Sequence, residues 1–242
     1  MPRPMSLKEA RLRHHRADEH LSDIHALVET IRAENKIAIR QGDADPPEEV
    51  EIPAGIGDRL SIRVGEHIYN LRAALDYLVY ELSGHKGESQ FPIEDDCDGF
   101  TSRRTGHKAS GENVRRYLHG VSPAHCDLIE AVQPYRLKAG NADERTNWTG
   151  LLRSLSNKDK HRRLVALNGI TGQPVTREVA AAIVHTNQRP GTYSRVYPAP
   201  YVEIHVDFPV EVALKEGFPA YETLQELQAQ AGAFLCLIER SL

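Results

Sequence analysis

The chain has 242 residues, 40% of them hydrophobic and 26% charged, with a formal net charge of −4. That length is about one and a half typical domains, so it specifies one large domain or a core with an appended subdomain. A mean hydropathy of −0.48, with no apolar run approaching the roughly 18 residues a spanning helix needs, excludes a transmembrane segment.

The N-terminal stretch MPRPMSLKEARLRHH is basic with no apolar run behind it, so no secretory signal is read and a cytoplasmic protein is expected. Cys97, Cys126 and Cys236 lie far apart without CxxC spacing, which argues against a disulfide framework, a thiolate zinc site and a thioredoxin-like motif.

Ser6 and Glu9 have the spacing of a capping box, and Ala10, His14, Ala17, Leu21, Ile24, Val28 and Ile31 follow at helical spacing. A long first helix is expected. Gln41 to Gly57 holds three prolines and five acids and reads as a loop. A second helix is predicted from near Asp58, with Leu60, Val64, Leu71, Leu75, Leu78 and Leu82 on one stripe, until Ser83-Gly84 ends it. His85 to Ser110 shows no sustained period, and Phe91-Pro92-Ile93 is its apolar anchor.

Short helices are expected at Gly111 to His119 and at Pro123 to Val132, the latter capped by Ser122 with proline at its first position. Asn141 and Glu144 cap a further helix running to about Leu167. Val179 to Thr186 and Arg195 to Phe208 then alternate like two strands joined by a turn, and Pro219 to Leu242 returns to helix. The fold class expected is mainly α, an antiparallel helical bundle with a small antiparallel β-hairpin or sheet before the C-terminal helix. Residues 1–168 would form the bundle core with a long loop at 85–110, and 169–242 would pack on that core.

Charge is unevenly placed. Thr101 to His119 carries Arg103, Arg104, Lys108, Arg115 and Arg116 against Glu112, and Arg145 to Arg163 carries six basic residues against Asp159. Such runs permit a local anion site on an acidic protein. On the second of them Trp148, Leu152, Leu155, Asp159 and Arg162 share one face, while Arg153, Asn157 and His161 form an opposite ridge at i, i+4 and i+8. Arg72 and Asp76 make a comparable pair on the second helix, and a network joining Arg72, Asp76, Asp159 and Arg162 would satisfy all four charges.

The strings YNLRAALDYLVYEL, QFPI, QPY and LLRSLSNKDKHR resemble a widespread, uncharacterised family of bacterial proteins with NLRxxLD, FPI, QPY and NxDKHR blocks in this order. The last block also resembles the HEPN superfamily, helical bundles that often bind or cleave RNA as dimers and carry an RNxxxH signature. Asn157 and His161 match it, whereas Ser156 stands where the signature has arginine. The resemblance implies an arginine that holds the scissile phosphate and a histidine that moves protons. Arg153, one turn earlier on the ridge, would stand in, and Ser156→Arg would restore the missing group.

Independently of the resemblance, an imidazole that titrates near neutrality can take a proton from a ribose 2′-OH, and Arg153, Lys160 and Arg163 can stabilise an anion without a metal. Arg103, Arg104, Arg115 and Arg116 would track phosphate. No histidine has glutamate three residues before it and there is no HExxH, so neither a metal nor another cofactor is expected. His14 with Asp18 and His15 with Glu19 are better read as core or edge histidines. No phosphate loop, nucleophile elbow or dinucleotide glycine pattern occurs. Two functions follow: an RNA- or nucleotide-binding HEPN-like protein, extending to metal-independent endoribonuclease action, or a non-catalytic homodimeric interaction protein.

Overall fold

The computed structural model describes residues 6–34, 38–40, 49–50, 54–85, 88–138, 147–161, 167–171, 203–205, 210–214 and 220–242, with side chains at 6–30, 58–85, 88–137, 147–157 and 221–242. This part is mostly helical: α1 (Lys8–Glu34), α2 (Ala54–Leu82), α3 (Cys97–Thr105), α4 (Pro123–Ala131), α5 (Pro134–Lys138), α6 (Trp148–His161) and α7 (Ala220–Glu239). Short strands β1 (Ala38–Arg40), β2 (Glu49–Val50), β3 (Leu167–Thr171), β4 (Glu203–His205) and β5 (Val210–Leu214) pair antiparallel, β1 with β4 and β3 between β2 and β5. The hairpin expected between Val179 and Phe208 lies, apart from β4, outside the described residues.

The leucine stripes meet as their periodicity requires. Ala10, Ala17, Leu21, Ile24 and Val28 of α1 and Leu60, Val64, Leu71, Leu75, Leu78 and Leu82 of α2 are all buried. Contacts between Glu9 and Glu81, Arg13 and Asn70, and Asp23 and Arg63 run in opposite order along the two helices, so α1 and α2 are antiparallel. Helix α7 lies on the other flank of α1, also antiparallel, with Arg11 against Glu239 and His25 against Tyr221. Its Leu224, Leu227, Ala231, Phe234, Leu235 and Ile238 complete the core. Gly232 is the close-approach point, because a Cβ there would stand 2.9 Å from His14 Nε2.

Helix ends depart from the expected signals in instructive ways. The Glu9 N–H that a Ser6 capping box would engage donates instead to Glu81 Oε1 at 3.0 Å, a carboxylate from α2. Helix α2 begins at Ala54, earlier than expected, and stops in a Schellman motif: His85 N–H donates to Tyr80 O, Gly84 N–H to Glu81 O, and Gly84 has φ +70°. Helix α3 interrupts what reads as a long connection. Asp96 caps it by accepting from Gly99 N–H, and Gly106 ends it at φ +89°.

The helix expected at Gly111–His119 is absent. Val114 N–H bonds to Gly106 O and Tyr117 N–H to Arg103 O, so this segment folds back on the end of α3 and does not bond to itself. Ser122 caps α4 as expected. Helix α6 starts at Trp148, with Asn147 Oδ1 accepting from Gly150 N–H. The proposed caps Asn141 and Glu144 lie outside the described residues. Leu167, expected to end this helix, opens β3.

His67 is fully buried on α2, its Nδ1–H donating to Ala17 O at 2.9 Å. Burial, reinforced by the neighbouring His20 and His14, lowers its pKa from 6.5 to about 4. The unfolded chain therefore takes up a proton below pH 6.5 that the folded chain resists until about pH 4. His67 thus contributes a stability that is complete above pH 6.5 and lost as pH falls through that window, in total about 3 kcal/mol. Urea titrations from pH 7.5 to 4.5 should show this decline, and a His67→Gln variant should have a flatter pH dependence.

Candidate functional site

Residues of the NLRxxLD and QPY blocks and Arg153 converge on one buried, irregular segment that carries the FPI block. Phe91 is fully buried and Ile93 nearly so, although Gln90 to Glu94 is neither helix nor strand. Phe91 meets Phe234 of α7 edge-on at 5.9 Å, and Trp148 packs on the same phenylalanine. A backbone buried in this way cannot leave its polar groups to water.

Side chains from three helical regions bond it instead. From α2, Asp76 Oδ1 accepts from Phe91 N–H at 3.0 Å and Arg72 Nη2 donates to Phe91 O, the two side chains themselves meeting at 3.2 Å. From α6, Arg153 Nη1 donates to Ile93 O at 2.9 Å. From the turn after α4, Gln133 Nε2 donates to Pro92 O and Ile129 O while its Oε1 accepts from Glu94 N–H. Tyr135, two residues on, donates its hydroxyl to Glu130; burial and that bond raise its pKa. Thr149 on the first turn of α6 donates to Val132 O. The NLRxxLD, FPI and QPY blocks and Arg153 are thus parts of one hydrogen-bonded assembly.

A cleft of about 420 Å³ opens beside this segment, lined by Arg72, Arg103 and Arg153 together with Tyr117, Ser156 and Asn157. Gln90, Phe91, Ile93 and Glu94 form its remaining wall. Arg103 comes from α3: its Nε donates to Glu94 Oε1 at 2.8 Å and its guanidinium sits over the Tyr117 ring at 4.6 Å from the centroid. Arg153 also donates through Nη2 to Asp95 Oδ2 at 2.7 Å. Each arginine of the cleft therefore faces a carboxylate, Asp76, Glu94 or Asp95, so the site is dense in charge yet nearly balanced.

Among the residues singled out from the sequence, Arg72, Asp76, Arg103, Arg153 and Asn157 come together here. Arg153 is tied down by the 93–95 segment, whereas Asn157 is exposed at the rim. Ser156, at the position of the signature arginine, is only 4% exposed and lines the cleft together with Arg72 and Arg153, so a longer side chain there would take up part of the cleft. The rest of the first basic run points elsewhere: Arg104 pairs with Asp127 of α4, Arg116 donates to Arg104 O, and Arg115 is exposed.

Asp159, Lys160 and His161 lie on the last turn of α6, with His161 one turn beyond Asn157, and their side chains are outside the described residues. Arg162 and Arg163 are also outside them. Asp76 meets Arg72 of its own helix and the Phe91 backbone. His14 is engaged with Gln228 O, and His15 approaches Glu19 at 3.7 Å. Among the described residues, no group of three His, Cys, Asp or Glu side chains is placed to hold a metal, and no helix is long and apolar enough to cross a membrane.

Gln133, Glu94, Asp95 and Tyr117 had no assigned role in the sequence reading. For Gln133 a signal existed, because it falls on the buried stripe of Cys126 and Ile129, where a polar residue needs partners. Compared with family models, curated proteins and solved structures, the chain matches none.

Gln133→Ala would remove three bonds and leave buried backbone groups unpaired, a loss of about 3 kcal/mol. Gln90→Ala, on the open wall, should change stability by less than about 0.5 kcal/mol. Urea midpoints of the two variants against the parent check this contrast.

Proposed function

We propose that this chain is a HEPN-like protein that binds RNA or a nucleotide in the Arg72–Arg103–Arg153 cleft. The observation that carries this reading is the convergence of three guanidinium groups, from α2, α3 and α6, on one open pocket with Tyr117 and Asn157. Guanidinium forks match the oxygens of a phosphate, a tyrosine ring gives a base a surface to stack on, and an exposed amide can reach a base edge. The Asn157 and His161 matches to the HEPN signature add support, since both lie on the helix that contributes Arg153.

Metal-independent cleavage is the catalytic extension of this proposal. His161 would take the proton of a ribose 2′-OH as that oxygen attacks the adjacent phosphorus, and would return a proton to the leaving 5′-oxygen, while the cleft arginines anchor the strand. Labelled single-stranded RNA in EDTA provides the test. The parent protein should bind at low salt, with a log–log salt slope of about −0.7 for each phosphate that the arginines neutralise. Arg103→Ala and Arg153→Ala should each weaken binding by about tenfold or more, the worth of a charge-assisted hydrogen bond.

His161→Ala should abolish any cleavage and leave binding nearly intact, whereas Ser156→Arg should weaken binding by filling the pocket. A parent protein that neither binds nor cleaves RNA would overturn the proposal in favour of a non-catalytic homodimeric interaction protein.

A further inference from the structure

Resting on the reading of this cleft as a phosphate site, we infer that its ligand is a terminal phosphate, a phosphomonoester on a nucleotide or an RNA end, which enters by replacing the Asp95 carboxylate on Arg153. The two acids that neutralise the outer arginines are held very differently. Glu94 is anchored twice: its N–H donates to Gln133 Oε1, and its side chain is gripped by Arg103 Nε. Its other carboxylate oxygen lies over the first turn of α3, where a Cβ on Gly99 would stand 3.1 Å from it. Asp95 projects outward, its side chain 56% exposed, and the partner shown for it is Arg153 Nη2 at 2.7 Å.

Arg153 itself is fixed independently of Asp95, because Nη1 stays on Ile93 O. The guanidinium is therefore already aimed, and Asp95 occupies it as an exchangeable stand-in for a ligand oxyanion. Glu94 by contrast belongs to the frame.

This exchange selects among phosphates. An internal phosphodiester carries one negative charge, as Asp95 does, so swapping one for the other on Arg153 gains little. A terminal phosphomonoester carries between one and a half and two charges at neutral pH and offers three acceptor oxygens. It can replace Asp95 and still present oxygens to Arg103 across the cleft. The volume, about 420 Å³, is at the small end of ligand pockets and suits one nucleotide unit, not a duplex.

The experiment measures the affinity of full-length protein in EDTA for two oligoribonucleotides of one sequence, one with a 5′-phosphate and one with a 5′-hydroxyl. The parent should favour the phosphorylated strand by about tenfold or more. Asp95→Asn should tighten binding of both by about threefold, the size of a partly exposed ion pair, and leave the ratio between them close to the parent's. Asp127→Asn makes the same charge change beside Arg104, outside the cleft, and should leave both affinities close to the parent's.

Competition by a nucleoside 5′-monophosphate would show that the terminal group with one base suffices; competition by RNA ends alone would show that the strand is needed, and either result supports the terminal phosphate. Equal affinity for the two strands, with binding still lost in Arg153→Ala, would overturn this inference and leave the RNA-binding proposal standing. Asp95→Asn tightening no more than Asp127→Asn would overturn the exchange. No binding of either strand by the parent or by Asp95→Asn would overturn both.

Discussion

The fold turns on a segment that is buried without being a helix or a strand. Helices satisfy their own peptide groups, so a bundle built only of helices asks little of its side chains in that respect. Phe91 to Glu94 enters the core between α2, α6 and α7 with five backbone groups that regular structure does not serve, and Asp76, Arg72, Arg153 and Gln133 serve them. An unmade bond of this kind costs more than a made one gains. These polar side chains must therefore be present together, and that requirement couples segments far apart in the chain.

The same requirement explains why the cleft exists. Arg72 and Arg153 are drawn to the segment by its carbonyls, and their long side chains line the cleft beside it. Charge brought in for a structural purpose then needs compensation, supplied by Asp76 and Asp95. A guanidinium that holds a carbonyl with one nitrogen can still offer another, which is why a structural arginine and a ligand-binding arginine can be one residue.

Much of the helical framework was legible in the sequence, because period 3.6 reports burial directly: Ala10, Ala17, Leu21, Ile24 and Val28 of α1, the leucine stripe of α2, and Trp148, Leu152 and Leu155 of α6 are buried as their spacing requires. The cap at Ser122 and the stop at Gly84 were readable for the same local reason. Helix α3 escaped notice because only Phe100 of its nine residues is buried, so it has almost no apolar period, and the evidence for it lay in Asp96 and Gly106 at its ends. The segment before Leu118 was misjudged because its hydrogen bonds go to α3, which local sequence does not announce. Of the site, the arginines and Asn157 were visible as charge and spacing. Their carboxylate partners were not, since Glu94 and Asp95 look like any acidic loop until the chain folds it against Arg103 and Arg153.

The carboxylate of Glu81 at the start of α1 bears on the order in which the chain folds. An isolated helix nucleates at a cost, and a local cap reduces it. Here the accepting group at Glu9 is 72 residues away, at the far end of α2. The first turn of α1 therefore has to wait until the α1–α2 loop has closed, and closing a loop of that size is an entropic barrier that local helix propensity does not lower. The opening turn of the first helix is set late, as a product of the pairing and not as its seed.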